Sequence, residues 1–201
     1  MKKVLILFTA MAVIGIISNA QSGSVLLYGD LGISNTNSAA DLNTTKYKLN
    51  PGIGYQFNDN WTVGANLNFY GQTVENSSTM KTKTPSFGVG PFLRYSHSFS
   101  KTFAFYTQLN AHYLAGKTKV ETTGAADTET KWTGFEAYIA PALFINFKNS
   151  FGLNFGFGKL GFDTRKVDGA SNSTTEFVFD FDWDSFTIGV SKNFGGKKKK
   201  K

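Results

Sequence analysis

The residues best placed to do chemistry lie near the C-terminal end, where Asp180, Asp182 and Asp184 recur at every second position. On a regular strand that spacing puts three carboxylates on one face. Hard cations such as Ca²⁺ take oxygen clusters, but successive same-face residues stand ~6.8 Å apart, which is wide for one ion. No metal site is therefore expected. The chain has 2 histidines, His97 and His112. A lipid-directed esterase would need one of them beside a serine and an acid. His97 sits between Ser96 and Ser98 on an apolar face, and His112 has no adjacent serine. No catalytic residue and no cofactor is expected, and the protein reads as a non-enzyme.

The element that must carry the aspartates is the last strand, 176–194. Phe177, Phe179, Phe181 and Trp183 alternate with Val178, Asp180, Asp182 and Asp184. The alternation then resumes one residue out of step, with Phe186, Ile188, Val190 and Phe194 on one face. Period-two alternation predicts a strand with one apolar and one polar face. The phase break predicts a bulge near Asp184 and Ser185. Aromatics outward and carboxylates inward suit a barrel in lipid, which is apolar outside and polar within.

The same pattern recurs upstream. Strands are predicted over about 24–34, 46–57, 61–70, 84–99, 103–116, 131–147 and 151–162. Long polar loops at 35–45, 71–83, 117–130 and 163–175 alternate with tight turns at 58–60, 100–102 and 148–150. That is the rhythm of an eight-stranded meander with short turns on the periplasmic side and long loops outside. Each tight turn lies between aromatics four apart: Phe57 and Trp61, Phe99 and Phe103, Phe147 and Phe151. With Phe194 they predict an aromatic girdle at one membrane interface. Pro51, Pro91 and Pro141 fall in equivalent strands and predict a recurring bulge or bend, because proline lacks a ladder donor.

The predicted inward set includes Asp30, Lys46, Lys48, Arg94, His112, Glu136, Asp180 and Asp182. An eight-stranded barrel is only wide enough to be filled by side chains. Opposite charges confined there should pair, so an ionic plug is expected, with a narrow ion path or ligand pocket as the sharper alternative. Lys46 and Lys48 are expected to meet the aspartates of the last strand.

Composition bounds the rest. With 201 residues the chain is long enough for one domain. Mean hydropathy is −0.20, and the one long apolar run, 4–17, is short of the ~20 residues of a spanning helix. Lys2 and Lys3, that run, and Ser18-Asn19-Ala20 form a signal peptide over 1–20. The barrel is then assigned to 21–196 and a lysine tail to 197–201. The formal charge of +7 comes from the two ends, so it makes no case for nucleic acid. There are 0 cysteines, which excludes disulfides, thiolate chemistry and a lipoprotein anchor.

Three stretches carry a family resemblance: Asn50-Pro51-Gly52-Ile53-Gly54-Tyr55-Gln56-Phe57-Asn58-Asp59-Asn60-Trp61-Thr62-Val63-Gly64, Gly88-Val89-Gly90-Pro91-Phe92-Leu93-Arg94-Tyr95, and Gly189-Val190-Ser191-Lys192-Asn193-Phe194. With them the chain resembles the small outer-membrane β-barrel proteins of Bacteroidetes-type bacteria, akin to OmpA/OmpX-type barrels. The resemblance implies an integral outer-membrane location with both mature termini periplasmic. It also implies lipid as the surrounding partner and the barrel-assembly machinery as a partner in biogenesis. Its motifs carry no activity. The expected role is structural or surface-interactive, through loops that meet an extracellular partner. A narrow channel or small-solute porin is the alternative, and a lipid-modifying enzyme stands third.

Overall fold

The structure, a computed structural model, describes residues 22–38, 42–148 and 151–195. The signal peptide over 1–20 and the lysine tail over 197–201 lie outside the described residues, as does part of the turn at 148–150.

Ten strand segments follow one another: β1 (Ser24–Ser38), β2 (Leu42–Gln56), β3 (Trp61–Ser77), β4 (Met80–Ser98), β5 (Phe103–Thr122), β6 (Thr128–Lys148), β7 (Phe151–Gly156), β8 (Lys159–Val167), β9 (Thr174–Asp180) and β10 (Thr187–Gly195). β1 to β6 each pair antiparallel with the next in the chain, β8 pairs with β6 and β9, β10 pairs with β7, and β1 closes on β10 from Ser24↔Gly195 to Leu31↔Ile188. Two of the eight walls are broken strands. β7 and β8 share β6 as partner, and β9 and β10 continue one another across a 3-10 turn at Trp183–Ser185. The chain is an eight-stranded antiparallel up-and-down transmembrane β-barrel.

The side chains are arranged inside out relative to a soluble protein. Ile53, Val63, Leu109, Ile139 and Ile188 are exposed on the outer wall, while Asn66, Asn110, His112 and Asn154 are buried within. Apolar exposure on this scale is unfavourable in water and favourable in hydrocarbon.

Local chemistry fixes the tight turns. Asn58 Oδ1 accepts from the backbone N–H of Asn60 at 2.9 Å and of Trp61 at 2.8 Å. Ser100 Oγ does the same for Thr102 at 3.1 Å and Phe103 at 3.0 Å. These side chains stand in for backbone partners and stop the strand. The flanking aromatics then meet through Phe57 N–H to Trp61 O and Phe99 N–H to Phe103 O, at 3.1 and 3.0 Å.

Three expectations need correction. The segments 71–83 and 117–130 are not long loops: β3 and β4 are joined only through residues 78–79, and β5 and β6 only through 123–127. Threonine and valine there favour strand. Apolar alternation is missing because both faces are wet, and so the pattern read as loop. Pro51 and Pro91 produce no register shift. They leave a missing rung between Leu49↔Phe69 and Gly52↔Asn66, and between Val89↔Tyr113 and Phe92↔Asn110. Only opposite Pro141 does the facing chain break, between β7 and β8. The phase break in the last strand is a 3-10 turn rather than a simple bulge, at the predicted place.

Candidate functional site: the lumen and the loop-side wall

The lumen is filled by a layered polar network. Alternation on β1, β3, β5 and β6 points Tyr28, Asn66, Gln108, Asn110, His112 and Glu136 inward, where all are buried. Asn66 Nδ2 donates to Tyr28 OH at 2.9 Å and to Asn110 Oδ1 at 3.0 Å. Gln108 Nε2 donates to the same two acceptors at 2.9 and 2.7 Å. His112 joins the layers, with Nε2 2.7 Å from Asn66 Oδ1 and Nδ1 2.9 Å from Glu136 Oε1. Glu136 also accepts from Asn68 Nδ2 at 3.1 Å and from Lys159 Nζ at 3.0 Å.

Arg94 lies towards the turns. Its guanidinium stacks on Tyr28 at 4.5 Å and Tyr106 at 4.1 Å, and Nε donates to Gln108 Oε1 at 2.8 Å. The Arg94–Tyr28–Gln108 layer lies between two spaces. On the loop side is a cavity of about 70 Å³, against which Asp30, Lys48 and Lys159 lie. On the turn side is one of about 430 Å³.

The residues singled out in the sequence fall into three groups. Asp30, Lys48, Arg94 and Glu136 sit in or against the lumen. Lys46 and Asp180 lie higher, around a second small loop-side cavity. Lys46 Nζ pairs at 3.2 Å with Asp184, which also accepts from Thr36 Oγ1, and Ser185 Oγ donates to Asp180. Asp182 is the correction. It is exposed and joins no ion pair among the described residues, because the strand turns away there into the 3-10 turn. The three aspartates thus share no face, and no cluster fit to hold a metal occurs among the described residues. Both ring nitrogens of His112 are taken by Asn66 and Glu136, and His97 is exposed with its ring against Phe99.

The girdle residues Phe57, Phe99, Phe103 and Phe147 are exposed at the turn end, with Trp61, Phe151 and Phe194 partly covered beside them. Trp61 packs on Tyr95 at 4.9 Å. Sequence reasoning missed a second belt. Tyr47, Phe69, Phe87, Tyr113, Phe135, Phe162 and Phe177 are all outward and exposed at the other end of the barrel. Phe69 and Phe87 pair at 5.3 Å, and Phe135 and Phe162 at 6.4 Å. Phe179 packs on Phe181 at 4.9 Å, and Trp183, 92% exposed, follows in the 3-10 turn.

Beyond this belt the same face of the same strands becomes ionic. Lys83 follows Phe87, Lys117 follows Tyr113 and Lys131 follows Phe135, each two outward positions further from the turns. Lys81 pairs with Glu75 at 2.6 Å, Lys83 with Glu121 at 2.7 Å, Lys117 with Glu129 at 2.9 Å and Lys119 with Asp127 at 2.7 Å. The Lys83 and Lys117 ammonium groups hold the Glu121 and Glu129 carboxyls below the usual carboxylate range. The belt-to-ion switch marks the upper edge of the lipid band. Strands β3 to β6, of 17, 19, 20 and 21 residues, exceed the ~9–11 needed to cross. The excess continues past the aromatic belt as one hydrogen-bonded sheet.

No family model matches the chain, and no curated protein matches it. Among solved structures, the chain is similar to the outer membrane protein OprG from Pseudomonas aeruginosa. That match has 14% identity and a TM-score of 0.50, covering 89% of this chain and 99% of that one. Neisserial surface protein A matches at 14% identity and a TM-score of 0.48, over 86% and 98%. Ail, the attachment invasion locus protein of Yersinia pestis, matches at 15% identity and a TM-score of 0.45, over 87% and 100%. At such identities the likeness to OprG speaks for the fold alone.

Proposed function

We propose that the protein is an integral outer-membrane barrel with a plugged lumen, whose working surface is the sheet wall raised above the outer leaflet by β3 to β6. The observation that carries this reading is the closed hydrogen-bond layer of Tyr28, Asn66, Gln108 and Asn110. It bridges β1, β3 and β5 across the lumen and favours a plugged, rigid pedestal over a water path. Loops on rigid scaffolds are where binding resides, and here the ribbons are themselves stiffened by cross-strand ion pairs. Their partner is an extracellular molecule, with outer-membrane lipid around the barrel, the barrel-assembly machinery acting in biogenesis, and no role for nucleic acid or enzymatic turnover.

In this reading the short turns and both mature termini face the periplasm, and the Bacteroidetes-type origin rests on the sequence motifs alone. The narrow-channel alternative requires the Tyr28 layer to open. The chain lacks cysteine, so orientation is testable by single-cysteine labelling. Thr79→Cys and Gly124→Cys should react with a membrane-impermeant maleimide on intact cells, and Ser100→Cys only after lysis. The reverse pattern would overturn the reading.

A further inference from the structure

We propose that the turn-side cavity is a binding site for a small carboxylate that carries a neighbouring amide N–H, as at the C-terminus of a peptide. The inference goes beyond the surface role above and does not depend on it. The cavity, of about 430 Å³, is lined by Arg94, Lys101, Ser96, Ser98, Thr102 and Asn146, among others, and Asp59 is the one acidic side chain among its lining residues.

Arg94 is the anchor. It is 4% exposed, and its orientation is fixed by the Tyr28 and Tyr106 rings and the Gln108 hydrogen bond. Nη2 is nevertheless buried without an acceptor, and no carboxylate lies within ion-pair distance of the guanidinium among the described residues. Asp30 acts on the guanidinium through space without reaching it, so Nη2 remains a buried donor with no acceptor, which is costly. The free edge of a guanidinium whose Nε is occupied matches the two oxygens of a carboxylate.

Asn146 Oδ1, on the same cavity, is likewise buried without a donor, while its Nδ2 is held by Lys101 O at 3.3 Å. Arg94 Nη2 as an orphaned donor and Asn146 Oδ1 as an orphaned acceptor, on a single polar space, fit a ligand that offers an oxyanion and an N–H. The Arg94–Tyr28–Gln108 layer closes the far side, so the site holds its ligand rather than passing it on.

The test uses the whole mature barrel refolded in detergent micelles and ¹⁵N-labelled at arginine. Arg94 and Arg165 are the 2 arginines of the chain, so the side-chain spectrum carries its own control. Titration with N-acetylglycine should shift the Arg94 signals saturably and leave Arg165 unmoved. Arg94→Lys, checked for folding by heat-modifiable gel migration, should weaken binding by roughly tenfold or more, since the paired charged hydrogen bonds are lost. No saturable shift in the wild type overturns the proposal, whether or not the variant folds. An equal shift at Arg165, or saturation by inorganic phosphate at lower concentration than by N-acetylglycine, also overturns it.

Discussion

Glu136 and His112 face each other across the β5–β6 ladder as direct partners and point into the lumen, Oε1 to Nδ1, at 2.9 Å. His112 is 0% and Glu136 4% exposed. The same carboxylate accepts from Lys159 and Asn68, so removing it strands three groups at once. Glu136→Ala should destabilise the barrel by about 3–5 kcal/mol, the usual cost of leaving a buried charge unpaired. Urea unfolding in lipid vesicles measures this, and a change below about 1 kcal/mol would mean that Lys159 and His112 find water instead.

Gly52 lies beneath the Tyr28 ring, and a Cβ there would collide with it. Gly29, on the opposite strand, has open space around its Cβ direction. Gly52→Val should cost about 1–3 kcal/mol by displacing the ring, while Gly29→Val should be near neutral. Equal effects in the same unfolding assay would remove Tyr28 from its place in the plug.

The carboxyls of Glu121 and Glu129 are held low by hydrogen bonds from Lys83 and Lys117. A depressed carboxyl stabilises the fold above its ordinary value, about 4.3, and that contribution is lost as pH falls through the depressed value. Amide exchange in 117–131, corrected for its intrinsic pH dependence, should therefore accelerate below pH about 4, while β10 stays protected. Acceleration towards alkaline pH instead would contradict the pairing. Salt should loosen the same ribbons, because exposed pairs are screened.

The fold places its three tryptophans differently. Trp61 lies in the turn-side girdle and Trp183 is exposed in the 3-10 turn, whereas Trp132 is buried, stacked under Arg165 at 4.8 Å. In single-tryptophan variants, brominated lipids should quench Trp61 and spare Trp132. Quenching of Trp132 would turn β6 inside out.

How much of this was legible in the sequence follows from where a face is uniform. The outward rows announced themselves because lipid demands apolar residues at every second position, and the tight turns did so through Asn58 and Ser100. The strand extensions past Tyr70 and Gly116 were hidden, since a ribbon wet on both faces shows no hydropathy period. The outer belt was missed for a related reason: with the turns as the only landmark, Phe87 and Phe135 looked like ordinary wall. Inward position was readable for Arg94, His112 and Glu136, but pairing was not. His112–Glu136 is fixed by register between strands, and Asp182 left the lumen through a turn that alternation alone marks only as a phase error.

The plugged lumen is most directly tested by planar-bilayer conductance of the refolded barrel. A closed Tyr28–Asn66–Gln108–Asn110 layer gives a silent membrane, with no steady ion steps from the wild-type protein. Steady steps whose size changes on Glu136→Gln or Arg94→Ala would show ions passing through the layer and would contradict the plug.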